Sequence, residues 1–158
     1  MNRTIRRAGI EDLDRIMELE NSVFAAEAFS RRQYRHLLRS PTCRILLHEC
    51  DGRLEAMLVA GWRARTDYLW IYSVAVSERM RGQGLGTLMI RESLNLARRI
   101  GRSWIILEVR VSNEAALRLY HKFGFEEIGF LEDYYGPGLD GIRMALEVSS
   151  DGEITPSA

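Results

Sequence analysis

One stretch constrains this chain more than any other: Arg79-Met80-Arg81-Gly82-Gln83-Gly84-Leu85-Gly86-Thr87. It follows a strand-like run, Trp70 to Val76, and opens a helix-like run, Leu85 to Ile100. A glycine-rich turn in that setting implies a strand, a sharp reversal and a helix in immediate succession, which is α/β architecture. Glycines at 82, 84 and 86 remove the side chains that would hold another molecule off the backbone. The amides of a turn feeding a helix N-terminus point outward at the positive end of the helix dipole, so the place suits an anion, and pyrophosphate fits it well. Arg79 and Arg81 add positive charge beside it.

Two familiar phosphate cradles fail on sequence. A nucleoside-triphosphate P-loop needs Lys and then Ser or Thr after the last glycine, and here Thr87 and Leu88 follow Gly86. A dinucleotide site needs G-x-G-x-x-G at the start of a repeated βαβ pattern, and both the glycine spacing and the pattern are missing. A glycine turn that binds nothing remains the bland alternative.

The 158 residues make one domain with room for a real core, expected over 1–148 with a loose polar tail over 149–158. Lys plus Arg equals Asp plus Glu at 22 each, so no global basic field recruits nucleic acid. No apolar run reaches the ~20 residues of a membrane helix, and the opening residues lack a secretory signal, so a cytoplasmic protein is expected. Cys43 and Cys50 fall on one expected strand, about 23 Å apart at strand rise, too far for a disulfide. No Cys, His or carboxylate cluster has metal-ligand spacing, so no metal is expected, and His36, His48 and His121 read as surface residues.

Along the chain, Thr4–Ala8 reads as a strand, followed by a helix with Leu13, Ile16, Met17, Leu19 and Val23 at helical spacing. Ser30 caps a second helix over 31–39. Strands over 43–49 and 54–62 meet at the hairpin signal Asp51-Gly52, and a third spans 68–76. The helix after the glycine turn points Leu88, Met89, Leu96 and Ile100 inward and stops at Gly101. A strand over 104–111, a helix over 114–123 between Asn113 and Gly124, and strands over 125–131 and 142–148 complete the order β-α-α-β-β-β-α-β-α-β-β. Such an order makes a mixed sheet with helices on both faces.

This order, with its glycine turn after the fourth strand, resembles the GNAT superfamily of acetyl-CoA-dependent N-acetyltransferases. Arg81, Gly84 and Gly86 match its phosphate motif, R/Q-x-x-G-x-G/A. A second block, Leu107-Glu108-Val109-Arg110, Ser112-Asn113, Ala115-Ala116, Leu119-Tyr120 and Phe123-Gly124-Phe125, is similar to the RimI-like branch, which acetylates ribosomal-protein N-terminal alanine. Tyr134-Tyr135, Asp140-Gly141 and Met144 continue the likeness, which covers residues 4 to 147. The resemblance implies that the backbone of Val74, Ala75 and Val76 bonds the pantetheine arm of acetyl-CoA. It implies that Arg81, Gly82, Gln83, Gly84, Leu85, Gly86 and Thr87 hold the pyrophosphate, and that Asn113 approaches the cofactor's far arm. Glu108 is then the general base and Tyr120 the general acid.

The residues themselves leave alternatives open. Glu108 sits in a strand of a two-sided sheet, where a charge is used or paired; its other reading is an ion pair with Arg110, on the same face at period two. Tyr120 falls at helical spacing with Ala116 and Phe123 and equally suits a core aromatic. Asn113 is already explained as a helix cap.

The acceptor follows from amine chemistry only in part. An amine attacks the thioester when neutral, and an α-amino group with pKa of about 7.7–8.0 is closer to that state at pH 7 than lysine near about 10.4. The segment Ala28-Phe29-Ser30 departs from the Pro-Trp-Ser of the RimI-like enzymes. Glu27, with Glu132 and Asp133, is a candidate attractor for a cationic acceptor, and Tyr134 and Tyr135 are candidate walls of its groove. The expected partners are acetyl-CoA and a protein or peptide N-terminus, with a polyamine or amino sugar as the alternative, and the expected state is monomer or homodimer. A non-catalytic acetyl-CoA sensor would keep the glycine cradle and have no use for Glu108.

Overall fold

The computed structural model describes residues 2–149; the tail expected to be loose lies, beyond Ser149, outside the described residues. The element order is the expected one. Strands β1 (Arg3–Arg7), β2 (Cys43–Cys50), β3 (Arg53–Gly61), β4 (Tyr68–Val76), β5 (Trp104–Arg110), β6 (Glu126–Leu131) and β7 (Gly141–Glu147) alternate with helices α1 (Leu13–Phe24), α2 (Arg31–Arg39), α3 (Leu85–Arg99) and α4 (Glu114–Phe123). The seven strands are ordered β1-β2-β3-β4-β5-β7-β6 in one mixed sheet, in which β4 and β5 pair in parallel. The described residues group into two compact units, 2–63 with 72–90, and 64–71 with 91–149.

In the first unit, β1 and β3 flank β2 in antiparallel pairing, and the tight Asp51-Gly52 turn joins β2 to β3. Both turn residues take positive φ (50° and 79°), which glycine adopts freely and aspartate tolerates. Residues 55 to 61 of β3 are all buried, so this strand is covered on both faces. Ile16, Tyr34, Leu47, Met57 and Val59 pack together in the unit's core. Helix α2 starts on a reciprocal capping box: Ser30 Oγ accepts from the Gln33 amide at 3.1 Å, and Gln33 Oε1 accepts from the Ser30 amide at 2.7 Å. Cys43 and Cys50 are both buried thiols, unbridged as the strand spacing requires.

His48 departs from the expectation of a surface histidine. It sits on β2 with 1 % exposure, and its Nδ1 is buried without a hydrogen-bond partner. Burial holds its pKa below the ordinary histidine value.

An ion-pair cluster ties β1 to the start of α1. Arg6 donates to both carboxylate oxygens of Asp12, at 2.6 and 2.9 Å, and to Glu49 at 2.6 Å, while Arg15 donates to Glu49 at 3.0 Å. Asp12 is buried and also accepts from the Gly9 amide at 2.9 Å. Hydrogen bonding from Arg6 holds its carboxyl below the usual carboxylate range. A depressed carboxyl stabilises the fold above its unfolded pKa, about 3.9, and that stability is lost as pH falls through the lower folded value. Asp12→Asn is expected to cost about 1–3 kcal/mol at pH 7 and to flatten the loss of stability below about pH 4. Urea unfolding at several pH values checks both outcomes.

In the second unit, β5 pairs with β7 and β7 with β6, both antiparallel. Strand β5 buries Ile105, Leu107 and Val109 and leaves the alternate residues part-exposed, which places Glu108 on the opposite face to that core. Helix α4 ends where Gly124 takes φ 96°, the left-handed stop its sequence indicates. Within α3 the inward set is wider than expected. Met89 and Leu96 are buried along with Ile90, Ser93, Leu94 and Ala97, whereas Leu88 and Ile100 are only half-buried.

Candidate active site

Strand β4 delivers the glycine turn. After Val76 the chain makes a short 3-10 turn, Glu78–Met80, then runs exposed from Arg81 to Gly84 before α3 begins. Gly82 and Gly84 take φ 77° and 84°, conformations that L side chains rarely adopt. A Cβ at either would meet nothing within 4 Å, so the backbone conformation, not crowding, selects glycine. Gly84 O accepts the Leu88 amide at 3.0 Å, which leaves the amides of Leu85, Gly86 and Thr87 without an intrahelical acceptor. Gly86 lies inside the first turn of α3. Gln83 is exposed within the turn. Open amides at a helix start are a geometry that suits an anion.

The two arginines beside it part company. Arg81 is exposed at the turn. Arg79 instead turns back onto the buried carboxylate of Glu55, with Nε donating at 2.7 Å and a second guanidinium nitrogen closing the pair. Arg79 itself stays exposed, but its charge is paired with Glu55, where the sequence suggested a charge serving the turn.

Glu108 occupies a built position in the second unit. Its side chain is 6 % exposed, and its carboxylate accepts from Trp70 Nε1 at 2.8 Å, from the Tyr134 hydroxyl at 3.3 Å and from Arg143 at 3.3 Å. Arg143 stands directly opposite Glu108 in the β5–β7 register and also lies over the Trp70 ring at 5.7 Å. The ion pair of Glu108 is with Arg143, across the strand pair, where the sequence suggested Arg110. A residue directly opposite lies about 5 Å away and a same-strand neighbour at period two about 7 Å. The Arg110 guanidinium lies 5.2 Å from the centre of the Tyr135 ring.

The structure therefore brings Glu108, Tyr134 and Tyr135 together, with the two tyrosine rings edge to face at 5.0 Å. Burial, then the Glu108 charge, raises the pKa of Tyr134 and pushes that of Tyr135 up to about 12. Trp70 and Arg143 were missed at sequence level, because nothing local marks a residue that only strand pairing brings to a carboxylate. Asp133 is not a loose acid: it holds φ 53°, accepts the Gly138 amide at 2.7 Å and donates its own amide to Asp140 at 2.9 Å, so it shapes the loop.

Tyr120 packs at 5.6 Å from Phe125, and burial pushes its phenol up to about 12. Asn113 caps α4, its Oδ1 accepting the Ala116 amide at 3.2 Å. Val74, Ala75 and Val76 lie beyond the end of the β4–β5 register, which runs from Tyr68↔Trp104 to Ile71↔Leu107. Glu27 is exposed in the first unit, in the 3-10 turn Ala25–Glu27 that joins α1 to α2. Among the described residues no helix is long and apolar enough to cross a membrane.

Comparisons with known proteins agree with one another. The model of the acetyltransferase (GNAT) family matches residues 11–125. A Bacillus subtilis (strain 168) protein provisionally named a ribosomal protein bS18-alanine N-acetyltransferase is 34 % identical over 146 residues, 92 % of this chain and 95 % of that protein. An N-alpha-acetyltransferase of Sulfurisphaera tokodaii is 28 % identical over 89 % of this chain and 90 % of its own length. The crystal structure of a ribosomal-protein alanine N-acetyltransferase from Escherichia coli superposes with a TM-score of 0.85 at 26 % identity, covering 96 % of this chain and 97 % of that one.

Proposed function

This chain belongs to the acetyltransferase (GNAT) family and is an N-acetyltransferase, and on that premise we propose that it acetylates the N-terminal α-amine of a protein or peptide. The observation that carries the reading is the carboxylate of Glu108, nearly buried and oriented by Trp70, Tyr134 and Arg143. Acetyl-CoA is the donor. Its pyrophosphate sits against Arg81, Gly82, Gln83 and Gly84 and the open amides of Leu85, Gly86 and Thr87, and its pantetheine arm runs along Val74, Ala75 and Val76 like an added strand. Asn113 approaches the far arm with whatever hydrogen-bonding capacity its cap leaves over.

The neutral amine attacks the thioester carbonyl carbon, forming the C–N bond and a tetrahedral oxyanion held by a backbone N–H of the Val74–Val76 segment. Glu108 takes the amine proton, directly or through one water. The C–S bond then breaks and the electron pair leaves on sulfur. Tyr120 is the donor assigned to that sulfur. A phenol at about 12 holds its proton against a thiolate with a conjugate acid near 8.5, so its part is a hydrogen bond to the departing sulfur more than complete protonation. The reaction is direct transfer in a ternary complex, with no acyl-cysteine, and both cysteines are buried strand residues.

An α-amine suits this machinery because lysine must first surrender about three pKa units, some 4 kcal/mol, before it attacks. The names of the relatives point the same way. Tyr134 and Tyr135 wall the acceptor side, and Glu27 offers charge to a cationic acceptor. Incubation with acetyl-CoA, a peptide library and a panel of polyamines and amino sugars, followed by mass spectrometry, tests the reading. Acetyl groups on peptide α-amines are expected. Transfer confined to small amines would replace the acceptor, and CoA binding with no transfer to any amine would leave a sensor.

A further inference from the structure

Glu55 is the only acid in a strand whose residues 55 to 61 are all buried, and it is itself 2 % exposed. A charge there is costly unless it is paired and hydrogen-bonded. The side chains that hydrogen-bond its carboxylate come from the few residues that lead out of β4 toward the glycine turn. Ser77 Oγ donates to one carboxylate oxygen, and Arg79 donates to the other through Nε at 2.7 Å and through a second nitrogen. The Ser77 amide also donates to the Glu55 carbonyl at 2.8 Å. Beyond Arg79 only the buried Met80 and the exposed Arg81 precede Gly82.

Between the buried Met80 and the buried Leu85, which opens α3, the turn is open. Arg81 to Gly84 are exposed, and space beside Gly82 and Gly84 is open to 4 Å. Its direction is then set by the chain on either side of it, α3 beyond and the Ser77–Met80 segment before. We propose that Glu55 is a positioning residue for co-substrate binding: by clamping Ser77 and Arg79 it aims the Gly82–Thr87 amides at the pyrophosphate without touching it. The proposal rests on the reading that acetyl-CoA is held at that turn.

A turn competent for only a tenth of the time binds about tenfold more weakly, because apparent affinity scales with the competent fraction. Calorimetry with CoA as the probe, on the wild-type chain and on Glu55→Ala, Glu55→Gln and Arg79→Leu, provides the test. Glu55→Ala and Arg79→Leu are expected to raise the Kd for CoA about tenfold, with Glu55→Gln between them and wild type because glutamine still accepts from Ser77. In steady state the KM for acetyl-CoA rises while kcat at saturation stays within about twofold, a split that general destabilisation does not produce. Where Glu55→Ala does not fold, the double variant Glu55→Gln, Arg79→Leu removes both charges together and carries the same expectation. Unchanged CoA affinity in folded variants overturns the proposal. So does tighter binding by Glu55→Gln, the result if a released Arg79 joined the phosphates directly. A wild-type chain that binds no CoA overturns the functional reading, and this inference with it.

Discussion

Glu108→Gln is expected to lower kcat/KM for acetyl transfer by about 10²–10⁴-fold, the usual worth of a positioned general base. The substitution is nearly isosteric. One side-chain oxygen survives to accept from Trp70, which now donates at 2.8 Å, so the change falls on charge and basicity before shape. Arg143 loses its carboxylate partner, and that costs about 1–3 kcal/mol of stability because the pair is largely buried. The size of the rate effect therefore separates the two roles open to this residue. A structural ion pair predicts a lower Tm with normal turnover below it; a base predicts lost turnover in a chain that is still folded and binds CoA with unchanged affinity. The pH profile adds a second signature. With the base gone, residual transfer follows deprotonation of the α-amine alone, near about 7.7–8.0. Full-rate transfer by Glu108→Gln between about pH 6 and 9 would remove the assignment.

What the sequence made legible was what neighbours three or four residues apart decide. Ser30 and Gln33 close a capping box, Asn113 caps α4, Gly124 ends it, and Asp51-Gly52 turns the first hairpin. Each of these is a local backbone requirement met by one residue type, so the element order could be read along the chain. The partners of charged groups could not. Arg143 lies 35 residues from Glu108 and meets it only through antiparallel register, while the sequence offered the nearer Arg110. Arg79 is drawn off by Glu55, 24 residues earlier and on another strand. A signal for that pair does exist: one acid in the apolar run Leu54–Trp62 demands a cation, by the same reasoning that singled out Glu108. His48 was misjudged for a related reason, because histidine composition says nothing about which side of β2 it occupies. Local geometry was readable, and long-range electrostatics needed the sheet.

Gly84→Val is expected to weaken acetyl-CoA binding by more than about 100-fold, roughly 3 kcal/mol, and to remove transfer at ordinary donor concentrations. No clash is involved, since a Cβ at Gly84 meets nothing within 4 Å. The penalty is conformational. At φ 84° a β-branched side chain is strained by about 1–3 kcal/mol, and the chain escapes that strain by moving φ to negative values. Either way the site suffers. A turn that relaxes re-aims the amides of Leu85, Gly86 and Thr87, whose convergence depends on Gly84 as the residue whose carbonyl starts α3. A turn that does not relax carries an isopropyl group into the open space a phosphate would fill. Gly101→Val supplies the control, because Gly101 also takes a positive φ, 71°, with nothing within 4 Å, at the other end of the same helix. Both variants bear similar strain and should lose similar Tm, yet only the change at Gly84 should reach the CoA isotherm. Adding Arg81→Glu to Gly84→Val sets an anion beside the phosphates and should bring binding below detection. Unchanged CoA affinity in Gly84→Val would show that the glycine turn is a strand-to-helix connector and that the donor is held somewhere else.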